Sequence, residues 1–202
     1  MTDKKIIFEQ NTGEPFRIFN IEYKKAFKQN QEVIDAMVIA TSLNNKVSSR
    51  YVNLKYVKNN KLIFFSNFDS RKGHEILNNP YVSCVIYWNK INIQIRIEGT
   101  AKPSENIISD EHYYSREYSK NIAAVTSNQS LKIDSYESIV KIYEENLELY
   151  KDNNPKRPDN WGGISISPFY FEFWEGKDTR LNKRTSYELI NENEWEKTFL
   201  QP

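Results

Sequence analysis

The chain has 202 residues, 39% hydrophobic and 27% charged, with a formal net charge of +1. That length and composition suit one globular domain with a full core, and the near-neutral balance argues against a generally basic nucleic-acid binder. No apolar run reaches the ~18 residues a membrane span needs, and the opening "MTDKKIIFEQ" has no signal-peptide apolar stretch, so a cytoplasmic protein is expected.

Residues 1–15 are polar, end in "TGEP" and read as a flexible arm; residues 16–202 read as a single domain. A helix is expected from Phe16 to Asn30, with Ile18, Ile21 and Phe27 as its apolar face. "AMVIATS" and "VSSRYVNLKYV" form a hairpin about "LNNK", whose two asparagines tolerate left-handed conformations. "KNNK" turns the chain again into the strand "LIFFSN". A short helix, "GHEIL", is stopped by Asn78, Asn79 and Pro80. "YVSCVIYW" and "INIQIRIEGTAK" follow as strands; in the second, Ile91, Ile93, Ile95 and Ile97 share one face, and Gln94 and Arg96 the other. Helices are expected over 104–118 and 134–150, the latter with a capping-box-like Asp134 and Glu137. "KDNNPKRPDN" is a loop, and "WGGISISPFYFEFWEG" and "TSYELINENEWEKTFL" are further strands. Short strands in hairpins with inserted helices predict an α+β fold around an antiparallel barrel.

The chemistry concentrates at "NFDSRKGHEILNNP", residues 67–80. Asp69 or Ser70 suits the N-cap of the short helix. Arg71 and Lys72 then stand at the positive end of the helix dipole, a placement that an anion beside them would relieve. Arg50, Lys55, Arg116, Arg180 and Arg184 lie elsewhere near turns and aromatics, as for a phosphate-bearing planar ligand or as an ordinary solvated surface. Regular strand parity puts Arg50 and Lys55 on opposite faces. Cys84, the only cysteine, sits in an apolar run and reads as a small buried hydrophobe, with no partner for a disulfide or a metal. His74 reads as structural, and His112 equally as a helix-surface residue or a site residue.

Taken in order, "AMVIAT", "SRYVNLK", "FFSNFDSRKGHEILNNP", "IQIRIEG", "YYSR", "SNQS", "WGG", and "FEFWEG" followed by "RLNKR" resemble the pyridoxamine 5'-phosphate oxidases. The resemblance runs from residue 15 to the terminal "LQP". It implies an α+β, antiparallel split β-barrel with flanking helices, homodimeric, with FMN at the subunit interface. By that resemblance Arg50, Arg71 and Lys72 bind the FMN phosphate. The strand residues Tyr51, Val52, Asn53, Leu54 and Lys55 lie along the flavin, Phe65 and Ser66 flank it, and Gln94 reaches the ring edge. Gln129, Ser130, Trp174 and Arg184 complete the cofactor site.

For the substrate phosphate the resemblance implies Lys55 and Arg116, with His112 where the family has tyrosine and Lys120 where it has serine. Arg180 stands in the family's "R-L-H", but Asn182 replaces the histidine. Asn53 replaces an apolar residue, and the family's arginine–tyrosine pair in the N-terminal arm is not visible. No catalytic side chain and no metal are expected, since flavin N5 would carry the chemistry. The implied reaction oxidises pyridoxamine or pyridoxine 5'-phosphate to pyridoxal 5'-phosphate with O2, by hydride transfer from C4' to N5, releasing H2O2. Two alternatives stay open: an oxidase of another reduced ring, such as a dihydrophenazine precursor, or a flavin-binding protein without amine oxidase turnover.

Overall fold

A computed structural model of the chain describes residues 5–202. Six strands form a closed antiparallel ring: β2 (Ala36–Leu43), β3 (Lys46–Lys58), β4 (Lys61–Asn67), β5 (Tyr81–Trp88), β6 (Ile93–Pro103) and β7 (Trp161–Glu175). The order around the ring is β3-β2-β5-β6-β7-β4 and back to β3. The expected α+β antiparallel barrel is present.

The barrel is split because β7 is long. Its first half pairs with β4 and closes the ring; its second half pairs with β8 (Lys183–Asn191), which carries β9 (Glu194–Leu200). A bulge opposite Glu98 and Gly99 bends β7 between these two roles. The β2–β3 and β3–β4 turns are made by asparagine pairs with positive φ, Asn44 and Asn45 at 51° and 60°, Asn59 and Asn60 at 50° and 58°. Left-handed conformations at both central positions match the twist of the paired strands, as the sequence suggests.

Helix α1 (Glu14–Lys28) plugs the barrel with a broader face than the one expected: Ile18 and Phe27 pack half-buried against the core, and a second row lies deeper. Phe16, Phe19, Tyr23 and Ala26, spaced by three and four, are buried against Trp88 and Phe171, whereas Ile21 is exposed. Three large aromatics remove more surface from water than the β-branched stripe could, so they take the core side. On β6 the expectation holds: Ile93, Ile95 and Ile97 are buried, and Gln94 and Arg96 lie on the other face.

The segment expected as a flexible arm contains β1 (Ile7–Glu9), paired in parallel with β3, and Ile6 is buried; residues 1–4 lie outside the described residues. The helix expected over 104–118 is α3 (Asn106–Ser115); a further helix that was not expected, α4 (Tyr118–Thr126), follows it, with Arg116 and Glu117 at the joint. Helix α5 (Tyr136–Leu149) is capped by Ser135, whose hydroxyl accepts from the Ser138 amide, one residue beyond the expected Asp134.

Cys84 is fully buried, and burial pushes its thiol up to about 12. Native protein is expected to leave a disulfide-exchange reagent unreacted, with one thiol appearing on denaturation; rapid labelling of the folded chain would contradict this placement. Among the described residues no helix is long and apolar enough to cross a membrane, and no group of His, Cys, Asp and Glu is set to hold a metal ion.

Candidate cofactor and substrate site

β4 ends in Ser66 and Asn67, and the chain turns directly into helix α2 (Arg71–Asn78). Ser70 is the N-cap: its hydroxyl accepts from the Gly73 amide at 3.4 Å and donates to the Asn67 carbonyl at 2.7 Å. Residue 73 must be glycine, because a Cβ there would lie 1.9 Å from the Phe68 carbonyl oxygen. That contact folds the helix tightly onto the strand end and brings Lys72 inward.

Lys72 is buried, yet its ammonium meets only neutral acceptors: Ser66 Oγ at 2.7 Å, Ser70 Oγ at 3.0 Å and Gln129 Oε1 at 3.2 Å. Burial, and then the charge of Arg50, push it down to about 8. Arg50 and Arg71 share one carboxylate, that of Glu75, at 3.0 and 2.9 Å. Burial alone would raise Glu75, but hydrogen bonds from Thr41, Ser48, Arg71 and Arg50 outweigh it and hold the carboxyl at about 2. Asp69 turns to the Asn160 amide instead. Three cations, Arg50, Arg71 and Lys72, thus cluster here with one carboxylate, and the excess of two positive charges matches a phosphate monoester dianion. Ser130, at φ 76°, accepts from the Arg71 amide at 3.2 Å and holds the 129–130 loop on the helix start.

Two adjoining clefts, of about 300 and 440 Å3, share the wall Phe65, Arg116, Lys120 and Trp161. The smaller reaches Ser66, Asn67 and Gln129, beside the cradle. The larger adds Lys5, Asn53, Lys55, Tyr56 and His112. Its floor is aromatic, with the His112 ring stacked on Phe65 at 3.7 Å and 13°, and Phe65 stacked on Trp161 at 5.6 Å. Lys55 is paired with the buried Asp35 at 2.6 Å, and the exposed Lys120 with Glu117 at 3.0 Å.

Arg116, like Lys72, has no carboxylate partner among the described residues. Its guanidinium lies 4.1 Å over Trp161 and donates to Asn121 Oδ1 and the Lys120 carbonyl, and burial lowers it to about 10. His112 is held neutral: burial first, then Arg116, Lys55 and Lys120, push it down to about 4.

The structure therefore gathers Arg50, Ser66, Arg71, Lys72, Gln129 and Ser130 at one cradle, and Asn53, Lys55, Phe65, His112, Arg116 and Lys120 along the adjoining crevice. Leu54 is fully buried, so its side chain faces the core rather than a ligand. Val52 is half-buried, while Tyr51 projects into solvent. Gln94, Trp174 and Arg184 form a separate row in register across β6, β7 and β8. Trp174 and Trp161 stand near opposite ends of β7, roughly 40 Å along an extended strand. Arg180 and Asn182 lie in the turn after β7, Arg180 exposed at φ 65° and Asn182 accepting from the Lys177 amide. One chain does not bring these five residues to the cradle.

Sequence reasoning passed over Tyr56, Trp161, Glu75 and Asp35. Tyr56 was hidden by parity: the register of β3 on β4 shifts between Leu54 and Tyr56, so Lys55 and Tyr56 both line the crevice. Trp161 was visible in "WGG", but its stacking role needs the fold.

Residues 23–148 match the family model described as pyridoxamine 5'-phosphate oxidase, and residues 161–202 the pyridoxine 5'-phosphate oxidase C-terminal dimerisation region. A pyridoxine/pyridoxamine 5'-phosphate oxidase of Bacteroides thetaiotaomicron is 34% identical over 190 residues, 94% of this chain and 89% of the relative. The chain belongs to the pyridoxamine 5'-phosphate oxidase family. Another member so named, from Trichormus variabilis, is 35% identical over 189 residues, 93% of this chain and 88% of its own. Among solved structures, PhzG from Burkholderia lata 383, in complex with tetrahydrophenazine-1-carboxylic acid, superposes with a TM-score of 0.88 at 27% identity, covering 96% of this chain and 95% of that one. A pyridoxamine 5'-phosphate oxidase-related, FMN-binding protein from Nostoc punctiforme shares the fold, with a TM-score of 0.78 at 15% identity over 95% of this chain and 100% of that one. Membership in this family of oxidases makes the chain an oxidoreductase.

Proposed function

We propose that the chain is an FMN-dependent oxidase that converts pyridoxamine or pyridoxine 5'-phosphate to pyridoxal 5'-phosphate. The observation that carries the reading is the pair of cations without carboxylate partners, Lys72 beside one cleft and Arg116 in the wall it shares with the next. A buried cation facing only neutral acceptors is costly unless an anion joins it. Two such cations in one crevice fit two phosphate groups, the cofactor's and the substrate's.

Lys72, Arg50, Arg71 and the hydroxyls of Ser66 and Ser130 would hold the FMN phosphate. FMN, when bound, would supply the acceptor for the hydride from substrate C4', with O2 as final oxidant leaving as H2O2; the alcohol then gives the aldehyde directly, whereas the amine gives an imine that takes up water and releases ammonia. The chain's own contribution is placement. Arg116, with Lys55 and Lys120, would anchor the substrate phosphate, while Phe65, His112 and Trp161 give a flat wall against which a pyridine ring can lie. Lys72 and Arg116 stay protonated at neutral pH, so neither serves as a base there.

In the same reading the chain acts as a homodimer with the flavin at the interface. The dimerisation region at residues 161–202 supports this, as does the separation of Gln94, Trp174, Arg184, Arg180 and Asn182 from the cradle. A partner copy would supply that second row.

One observation favours a second reading, oxidation of another reduced ring. His112, Lys120 and Asn182 occupy substrate positions where the family resemblance implies tyrosine, serine and histidine, and PhzG shares the whole architecture. An aerobic assay separates the two. Pyridoxal 5'-phosphate and H2O2 formed in equal amounts from pyridoxamine 5'-phosphate support the first reading. Turnover of tetrahydrophenazine-1-carboxylic acid alone would replace it with the second.

A further inference from the structure

The Tyr56 hydroxyl lies 3.1 Å from His112 Nδ1, and the two rings meet edge-on at 5.6 Å. His112 stacks flat on Phe65 and so is fixed in plane as well as in position. Neither ring belongs to the residues that the family resemblance implies at these places: His112 replaces a tyrosine, and Tyr56 reaches the crevice through the β3 bulge.

We propose that Tyr56 is a positioning residue that sets His112 in its Nε2–H tautomer, so that the ring presents one N–H donor to an anionic oxygen of the substrate. This rests on the phosphate-binding reading of the crevice given above. The direction of the hydrogen bond follows from satisfying both groups. A phenol is a good donor, and among the described residues the Tyr56 hydroxyl has no other acceptor. If Nδ1–H donated to the phenol instead, the phenolic hydrogen would be left without a protein acceptor in a half-buried place. Burial, then Glu111 and Glu9, raise the Tyr56 hydroxyl above its ordinary value, so it keeps its proton to give. With Nδ1 occupied as an acceptor, Nε2 must carry the ring proton, and among the described residues it has no protein acceptor.

The surroundings explain what that donor is for. Burial first, and then the positive charge of Arg116, Lys55 and Lys120 around it, keep the ring neutral. A neutral N–H can sit among these cations without repelling them and still give a bond to the anion they attract. A fixed donor discriminates better than a freely rotating hydroxyl, because a group that fails to accept from it leaves it unsatisfied. His112 with Tyr56 thus does, by a two-residue arrangement, what a single phenol would do at that position.

The test uses the FMN-loaded protein and Tyr56→Phe, which removes one oxygen and keeps the ring. The chain has two histidines, His74 and His112, so nitrogen-15 histidine spectra are readily assigned with His112→Phe. The wild type is expected to show His112 as the Nε2–H tautomer, and Tyr56→Phe to shift it toward a mixture. In anaerobic flavin reduction, Tyr56→Phe is expected to weaken pyridoxamine 5'-phosphate binding roughly 3- to 10-fold, with the limiting rate within about 2-fold. In a His112→Phe background the same change should add nothing.

An Nδ1–H tautomer in the wild type would overturn the proposal. So would unchanged substrate binding in Tyr56→Phe, or an equal loss in both backgrounds, which would make the phenol a direct ligand. If the wild-type flavin is not reduced by pyridoxamine 5'-phosphate at all, the functional reading fails and takes the phosphate anion with it. The spectrum then still decides whether Tyr56 sets the tautomer.

Discussion

Replacing Lys72 with methionine is expected to lower FMN affinity roughly ten- to a hundredfold, the loss of one or two charge-assisted hydrogen bonds to phosphate. The same change should leave the flavin-free protein as stable as the wild type or more so. Lys72 is buried with three neutral acceptors and no carboxylate, so in the absence of an anion its charge is a cost that methionine removes at similar volume. Calorimetric titration with FMN, beside thermal unfolding of the flavin-free forms, checks both halves. A variant that loses stability but retains FMN would show the lysine to be a structural group.

The pH dependence has a definite sign. The Lys72 pKa in the flavin-free fold is down at about 8, whereas the unfolded chain keeps the ordinary value near 10.5. Between those two values the unfolded state binds more protons, so this group makes the flavin-free protein more stable as pH rises through that window. FMN binding runs the other way. It needs the charged ammonium and the phosphate dianion, so affinity is full between about pH 6 and pH 8 and declines above that window as Lys72 loses its proton.

Glu172→Gln is expected to lower unfolding free energy by about 2–3 kcal/mol and to weaken FMN retention together with dimer formation. Glu172 is buried on β7 and bridges Arg96 of β6 and Arg184 of β8, each at 2.8 Å. Burial alone would raise its carboxyl, but Arg184 and Arg96 outweigh that and hold it below the usual range. Glutamine keeps the shape and removes the charge, leaving Arg184 without a carboxylate among the described residues and Arg96 with Glu98 alone, at 3.3 Å. Both arginine side chains are about one-third exposed, 36% and 27%, so solvent takes up part of the loss and the figure falls below that of a fully buried pair. Arg184 stands in register with Trp174 and Gln94, so its release disturbs the row proposed to face the partner's flavin. Denaturant unfolding and sedimentation measure the two effects. Unchanged dimer and flavin content would detach this row from the site.

The capped helix start and its two cations were legible because their chemistry is local, whereas Arg50 and the FMN phosphate came from the family resemblance. Ser70, Arg71 and Lys72 follow a strand and open a helix, and a cation at that end of a helix dipole calls for an anion wherever the rest of the chain lies. The asparagine turns and the isoleucine face of β6 were legible for the same reason, since turn conformation and strand parity are short-range properties. What escaped depends on register and distance. Tyr56 lies beyond a one-residue bulge that no alternation pattern announces. Ile18 and Phe27 of α1 do pack on the core, but its deeper row was missed because Phe16 and Phe19 matter through Trp88 and Phe171, far along the chain. Helix α4 was missed because Arg116 and Glu117 interrupt it from α3 without a proline or glycine to mark the break. The substrate roles proposed for His112 and Lys120 came from family resemblance; only the fold shows that one stacks on Phe65 and the other lines the same crevice.

The most direct measurement is anaerobic. The FMN-loaded protein is mixed with pyridoxamine 5'-phosphate in the absence of oxygen, and the oxidised flavin band is followed. The account predicts that the band bleaches, with one pyridoxal 5'-phosphate formed per flavin and colour restored by air. A flavin that stays oxidised, under conditions where the protein holds FMN firmly, would contradict it.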